Sequence, residues 1–319
     1  MSREPLRCGF VAVIGAPNAG KSTLVNRLVG AKVSIVTHKV QTTRARVRGV
    51  AVKDRTQIVY IDTPGIFTPR RRLDRAMVAA AWEGAAEADA TLLLVDAAAY
   101  RAAAAPGARG VARRSAEDVD RIVEALKAEN RRVWLALNKI DRLPAEHLLD
   151  IAARFDATGV VEETFMISAE RGYGVDRLEA MLLERMPEGP WMFPEDQLSD
   201  ITDRILAAEI TREKLFLRLH QELPYDLTVE TERWEDGKKG DVRIEQIVFV
   251  KRDSQKALVL GRGGATAKAV GAAARAELSE LLGRPVHLFL TVKVRERWED
   301  DPERYREMGL DFAGGARGE

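Results

Sequence analysis

Eight residues near the start of the chain, Gly15-Ala16-Pro17-Asn18-Ala19-Gly20-Lys21-Ser22, constrain the fold more than any other segment. They follow a short apolar run, residues 8–14, and precede residues 21–29, where Leu24, Val25 and Leu28 recur at helical spacing. A glycine loop set between a strand and a helix is the context of a phosphate-binding loop. Gly15 and Gly20 let the backbone wrap phosphate oxygens where a Cβ would crowd them. The first amides of the helix add partial positive charge. In this reading Lys21 reaches the β- and γ-phosphates and the Ser22 hydroxyl goes to Mg²⁺, with Ala16, Pro17, Asn18, Ala19 and Thr23 completing the cradle.

The rest of the first half alternates. Residues 47–52, 57–61, 91–96, 133–137 and 165–167 read as strands, several of them continuous apolar runs suited to burial on both faces of a mainly parallel sheet. Helical patterns fall at 75–87, 116–129, 145–155 and 175–184, so an α/β sheet with helices on both faces is expected. Residues 97–114, rich in Ala, Arg and Gly, read as a mobile surface insertion whose four arginines face solvent. Residues 187–194 hold three prolines and a glycine and read as a linker at a domain boundary.

Two further motifs complete a nucleotide site. Asp62-Thr63-Pro64-Gly65 follows a strand. An acid there can hold Mg²⁺ through water, and the Gly65 amide can turn toward a γ-phosphate and lose that contact after hydrolysis. Asn138-Lys139-Ile140-Asp141 follows the run 133–137. The Asp141 carboxylate can accept from guanine N1–H and its exocyclic amine together, and a site built on such bonds rejects the wrong base by roughly 10⁴-fold or more. Asn138 and Lys139 brace that loop and pack on the base, and Ser168-Ala169 offers a backbone amide to guanine O6. Thr43, with Thr42 as the near alternative, is the threonine expected to join Mg²⁺ and the γ-phosphate. Together these point to a GTP-hydrolysing switch, with Lys21, Thr43, Gly65 and Asn18 as the groups acting in catalysis. Ile66 stands where many small GTPases carry the glutamine that orients water. Asn18 is then the candidate ligand for a K⁺ ion lying against the phosphates.

At 319 residues the chain suits two domains, and its net charge of +1 says nothing of partners. The single cysteine, Cys8, excludes a disulfide framework and fits a reducing cytosol, as a core residue. No run of about 18 apolar residues is present to span a membrane, and Met1 to Arg7 lacks the apolar stretch of a secretory signal.

After the linker the order is α-β-β-α-α-β: a helix over 199–219 capped by Ser199 or Asp200, strands near 226–234 and 241–250, a short helix, the loop Gly261-Arg262-Gly263-Gly264, a helix over 265–282 and a strand over 285–294. Between 251 and 275 stand six basic residues (Lys251, Arg252, Lys256, Arg262, Lys268, Arg275) and one acid, Asp253. A Gly-x-x-Gly loop between two helices is the RNA-backbone clamp of a KH domain, which makes Lys251, Lys256, Gly261, Arg262, Gly263, Gly264 and Lys268 the RNA-binding candidates.

Here the chain resembles the Era family of KH-containing GTPases, from about residue 8 to residue 298. The likeness rests on Gly-Ala-Pro-Asn-Ala-Gly-Lys-Ser, Gln41-Thr-Thr-Arg44, Asp-Thr-Pro-Gly, Asn-Lys-Ile-Asp and Pro187-Glu-Gly-Pro190, and above all on Ala208-Glu-Ile-Thr-Arg-Glu-Lys214 and Glu222-Leu-Pro-Tyr225. The resemblance implies a bacterial, cytoplasmic ribosome-biogenesis factor that uses GTP/GDP and Mg²⁺. Its KH domain would bind the 3′ end of small-subunit (16S) rRNA and assist 30S assembly, with the GTP state gating the contact. It further implies peripheral association at the inner membrane, and the chain is expected to be a monomer. The fold expected is a P-loop GTPase domain with a mixed, mainly parallel α/β sheet, followed by an α+β KH domain of type II. The boundaries are 1–186 for the GTPase domain, 187–198 for the linker, 199–298 for the KH domain and 299–319 for a flexible tail. The chain departs from the family pattern in the length of 97–114, in Gly263 where a basic residue is common, and in Ala267 where isoleucine is typical. The competing reading is a signalling or membrane-associated GTPase whose C-terminal domain binds a protein.

Overall fold

The computed structural model describes residues 5–39, 41–220 and 223–312. Glu222 of the motifs above, and residues 313–319 of the tail, lie outside the described residues. The chain divides into two units, Met1–Ser34 with Thr43–Asp200 and Arg306–Glu319, and Ile35–Thr42 with Ile201–Tyr305.

The first unit is built on β1 (Arg7–Ile14), β2 (Val47–Lys53), β3 (Thr56–Asp62), β4 (Ala90–Asp96), β5 (Val133–Asn138) and β6 (Val161–Met166), in the order β2-β3-β1-β4-β5-β6. All neighbours are parallel except β2, which pairs antiparallel with β3. The sheet is therefore mixed and mainly parallel, as expected. The apolar runs are continuous because both faces are covered. Ala12, Ile14, Leu93, Val95, Leu135 and Leu137 face one core, while Val11, Val13, Leu92, Leu94 and Ala136 face the other. Helices α1 (Lys21–Val29), α2 (Arg72–Glu87), α3 (Ala97–Ala103), α4 (Val111–Ala128), α5 (Ala145–Asp156) and α6 (Val175–Arg185) provide the cover. The first core takes Ala81, Ile122, Leu126 and Ile151 from α2, α4 and α5; the second takes Leu24, Val25, Leu178 and Leu182 from α1 and α6. The carboxyl ends of β1, β3, β4 and β5 share one edge, where doubly wound sheets bind ligands.

Two sequence expectations give way here, and a third segment, the linker, gains partners that its composition does not display. Residues 97–114 are largely helical: α3 begins at Ala97, capped by the Asp96 carboxylate on the Ala99 amide (3.0 Å), and Tyr100 is buried with its hydroxyl on Asp120 (2.8 Å). The alanines that read as low complexity are strong helix formers, and only 104–110, around Ala-Pro-Gly, separate α3 from α4. Helix α2 starts at Arg72, not 75, because the Asp74 carboxylate takes the amides of Arg70 and Arg71 at 3.0 Å each. The linker is fastened to the first unit. Cys8 N–H donates to the Pro187 carbonyl (3.1 Å), Gly189 N–H to Leu6 (2.9 Å) and Val50 N–H to Leu198 (2.9 Å), and the Gln57 side-chain oxygen accepts from Met192 and Phe193 amides. Prolines hold the segment extended, and the exposed edge of β2 offers it backbone partners.

The second unit contains α7 (Asp203–Arg218), β7 (Leu227–Asp236), β8 (Val242–Val250), α8 (Asp253–Leu260), α9 (Ala265–Leu281) and β9 (Val286–Val294). The sheet order is β7-β8-β9, antiparallel then parallel. Helix α7 packs Leu215 and Phe216 against Val248, Val250, Val270 and Val292, and Ala207 and Ile210 against Val242, Ile244, Ala274 and Leu278. Its cap is Thr202, whose hydroxyl accepts from the Ile205 amide (3.4 Å). Ser199 and Asp200 do not serve, since Ser199 bridges Gly49 and the Asp200 carboxylate takes the Arg48 amide (3.0 Å) in the first unit. The expected tail is folded as far as α10 (Pro302–Glu307) and a little beyond: Trp298 and Tyr305 are fully buried, and Trp298 Nε1–H donates to the Asp226 carbonyl (3.0 Å).

Candidate functional site

Residues 15–20 connect β1 to α1, and the loop is shaped by close approaches. Gly20 has φ +102, and a Cβ there would lie 2.4 Å from Asn138 Nδ2. Asn138, the last residue of β5, donates from that nitrogen to the Ala19 carbonyl (2.7 Å) and accepts at Oδ1 from the Ala169 amide (2.9 Å). One side chain thus joins the phosphate loop, the 138–141 loop and the 168–169 loop. Of the Ser168-Ala169 pair expected to offer an amide to guanine O6, the Ala169 amide is engaged by Asn138.

Lys21 is 6% exposed, and its ammonium donates to the Gly15 and Ala16 carbonyls at 3.1 Å each. Burial lowers its pKa to about 8, opposed by the negative charge of Asp62. The Ser22 and Thr43 hydroxyls are 2.8 Å apart, and Thr43 donates to Asp62 Oδ2 at 3.4 Å. These three residues, far apart in sequence, form one oxygen cluster beside Lys21. The Thr42 hydroxyl is occupied by Thr37 (2.6 Å) and the Lys39 carbonyl (2.7 Å), which separates it from its neighbour Thr43. Asp62 is fully buried, and among the described residues its Oδ1 has no hydrogen-bond partner. Burial pushes its carboxyl above the usual range, against the Ser22 hydroxyl and the Lys21 charge. A buried carboxylate oxygen with nothing to bond, next to two hydroxyls, fits a hard cation with oxygen ligands. Ile66 is 6% exposed and packs in the first core with Ala16, so it presents no group to a water in the site.

The base-reading loop is set by Lys139 in the left-handed region, φ 64. Its ammonium donates to the Asn18 carbonyl (2.8 Å) and the Asp96 carboxylate (2.6 Å). Asp141 is exposed, and hydrogen bonding from Ser168 holds its carboxyl below the usual range. Asp141 therefore stands as an ionised acceptor, the state that the expected guanine contact would need. Asp96 carried no signal as a site residue; its position one strand over from Asn138 was the only hint, and it needs the sheet order to be seen.

In the second unit α8 and α9 flank the Gly-x-x-Gly turn. Gly261 has φ +73, and a Cβ would lie 2.3 Å from Thr266 Oγ1, so the turn requires glycine. Arg262, Gly263 and Lys268 are exposed around it. Leu258 on α8, missed in the sequence reading, is 61% exposed beside them. Lys251 differs from the other basic candidates: its ammonium pairs with Asp226 and Glu299 at 2.8 Å each, anchoring the folded tail.

A nucleotide site that tests for guanine and a Gly-x-x-Gly unit on the same chain make this a P-loop GTPase joined to a KH domain. Residues 10–139 match the family model described as a 50S ribosome-binding GTPase, and residues 222–299 match the KH domain model. The chain is 60% identical over 308 residues to the GTPase Era of Sinorhizobium medicae, covering 97% of this chain and 95% of that one. It is 59% identical over 306 residues to the GTPase Era of Caulobacter vibrioides, covering 96% and 97%. A crystal structure of Era in complex with MgGDPNP and nucleotides 1506–1542 of 16S ribosomal RNA superposes with a TM-score of 0.84 at 37% identity, over 95% of this chain and 99% of that one. A point variant of Aquifex aeolicus Era bound to GDP and tetrafluoroaluminate matches equally, at 0.84 and 37% over the same shares of each chain. The chain belongs to the Era family of GTPases.

Proposed function

We propose that this GTPase uses its KH domain to bind the 3′ end of small-subunit rRNA and to assist maturation of the 30S subunit, with the bound nucleotide setting the strength of that contact. The observation that carries the reading is the turn at Gly261: it is strained for any other residue and flanked by exposed Arg262 and Lys268. Glycines there admit a phosphate backbone, and the two cations hold it. The Era structure that binds a 16S rRNA segment shares this architecture along its whole length.

The site residues divide the work. Backbone amides of 15–20 and the α1 start receive the phosphates, and Lys21 supplies charge to the β–γ bridge. Ser22, Thr43 and Asp62 would hold Mg²⁺, which neutralises charge developing on the phosphates. Asn138 and Lys139 fix the loop from which Asp141 reads guanine. The Gly65 amide follows the γ-phosphate, so GTP and GDP leave the 65–71 segment in different states. The buried Cys8 thiol, its pKa raised by desolvation, suits a cytoplasmic protein. No helix among the described residues is long and apolar enough to cross a membrane.

With Ile66 turned into the core, the water needs another organiser. Asn18 lies in the phosphate loop with φ 63, and its side-chain oxygen would hold K⁺ against the phosphates. Hydrolysis should then be faster in K⁺ than in Na⁺ at equal ionic strength, and Asn18→Ala should abolish the difference. Equal wild-type rates in the two salts would remove the K⁺ role.

RNA binding is tested by titrating salt in a filter-binding assay with a 16S rRNA 3′ fragment. Affinity should fall steeply with salt, and Arg262→Ala and Lys268→Ala should each flatten the slope by about 0.7. Absence of RNA affinity in both nucleotide states would favour a protein partner for the KH domain instead.

A further inference from the structure

We infer that Asp96 is a positioning residue for nucleotide binding: through Lys139 it locks the base-reading loop onto the phosphate loop. The register of β4 and β5 sets Asp96 beside Asn138, at the strand ends that border the site. Its two carboxylate oxygens have separate partners. Oδ1 accepts from the Ala99 amide at 3.0 Å and caps α3, while Oδ2 accepts from Lys139 Nζ at 2.6 Å. The same ammonium donates to the Asn18 carbonyl at 2.8 Å. One chain of contacts therefore runs from α3 through Asp96 and Lys139 into the phosphate loop.

Both ends of the Lys139 tether are held in an unfavourable backbone state. Lys139 has φ 64 and Asn18 has φ 63, a region that residues with side chains seldom occupy unless their surroundings fix them. Asn138 provides a parallel tie to Ala19, but it is neutral and complete in itself. The Lys139 tie is different, because a lone ammonium would swing into solvent to be hydrated. Asp96 prevents this. The side chains are 13% exposed at Asp96 and 23% at Lys139, so the pair is shielded far better than a surface ion pair.

The tether does not involve the γ-phosphate, so GDP and GTP should feel its loss equally. Uniform loss of binding raises KM and leaves kcat in place. Asparagine at 96 keeps the α3 cap, since Asn caps as well as Asp, but removes the charge that holds Lys139. The test is the release of a fluorescent GDP from wild type, Asp96→Asn, Lys139→Met and the double variant, with the nucleotide-free melting temperature measured alongside. Asp96→Asn should release GDP roughly tenfold faster or more, the loss expected for one charge-assisted hydrogen bond, with an unchanged melting temperature, a raised KM and an unchanged kcat. In the Lys139→Met background it should have no further effect, because both substitutions break one tether. Wild-type release rates in Asp96→Asn, or effects of the two substitutions that multiply, would overturn the inference. The inference rests on the base-reading role of 138–141, and weaker binding of adenine than of guanine nucleotide by wild type checks that role separately.

Discussion

Asp141→Asn is expected to lower the affinity for GTP by about 10³- to 10⁴-fold and to transfer preference to xanthosine triphosphate. In the proposed site the Asp141 carboxylate would accept from both guanine donors, and its lowered pKa keeps it charged throughout the neutral range. An asparagine amide can offer at most one acceptor, and its NH₂ then faces the exocyclic amine of guanine, leaving two donors opposed. Xanthine carries a carbonyl at that position, which the amide satisfies. The fold should survive, because Asp141 is exposed and the loop is braced by Asn138 and Lys139. Competition titrations with GTP, XTP and ATP measure the effect. Undiminished GTP binding in Asp141→Asn would mean that the base sits elsewhere.

Lys21→Ala is expected to reduce kcat/KM for GTP by about 10²- to 10³-fold, the usual scale for removing one preorganised charge from a transition state. Wild type should also show a signature that the variant lacks. Burial depresses the Lys21 pKa to about 8 in the nucleotide-free protein. Bound phosphates favour the ammonium and raise that value again. Below pH 8 the lysine is charged before and after binding, so affinity is flat. Above pH 8 binding must take up a proton, and affinity should fall by about tenfold per pH unit until the pKa of the complex is reached. The stability of the nucleotide-free protein moves the other way. A lysine with a depressed folded pKa destabilises while charged, and that cost is relieved as pH rises from about 8 toward the value of 10.5 in the unfolded chain. Fluorescent GDP titrations between pH 7 and pH 9.5 should show the bend in wild type and none in Lys21→Ala. A flat wild-type profile would contradict the buried, charged role of Lys21.

What the sequence disclosed and what it hid follow from the range of the interactions involved. The strands and the glycine turns were legible because they depend on local spacing: β1 with its glycine loop, the apolar runs of β4 and β5, and the α-β-β-α-α-β order around Gly261. The antiparallel β2 also left its trace as one more strand before Asp62. Helix α3 was hidden because its seven residues are mostly alanine, and only the buried Tyr100 and the Asp96 cap reveal that they pack. The fastening of 187–198 depends on Gln57 and on the free edge of β2, which no local pattern displays. Thr43 stood only narrowly ahead of Thr42 in the sequence, and what separates them is tertiary: one hydroxyl lies on Ser22 and the other on Thr37. Lys251 read as an RNA cation because basic residues cluster around it, whereas Asp226 and Glu299, 25 and 48 positions away, claim its charge. Asp96 is the same kind of omission, an acid whose meaning lies in the neighbouring strand.

Coupling of a guanine-nucleotide switch to an RNA clamp on one chain is the core of the proposed function. Its most direct test is the affinity of the full chain for a 16S rRNA 3′ fragment, measured at fixed salt with a non-hydrolysable GTP analogue and again with GDP. Binding should be tighter in the GTP-analogue state. Arg262→Ala with Lys268→Ala should weaken binding in both states, and Asp141→Asn should lose the response to GTP while recovering it with the xanthine nucleotide. Equal RNA affinity in the two nucleotide states, or affinity untouched by the Arg262 and Lys268 substitutions, would contradict it.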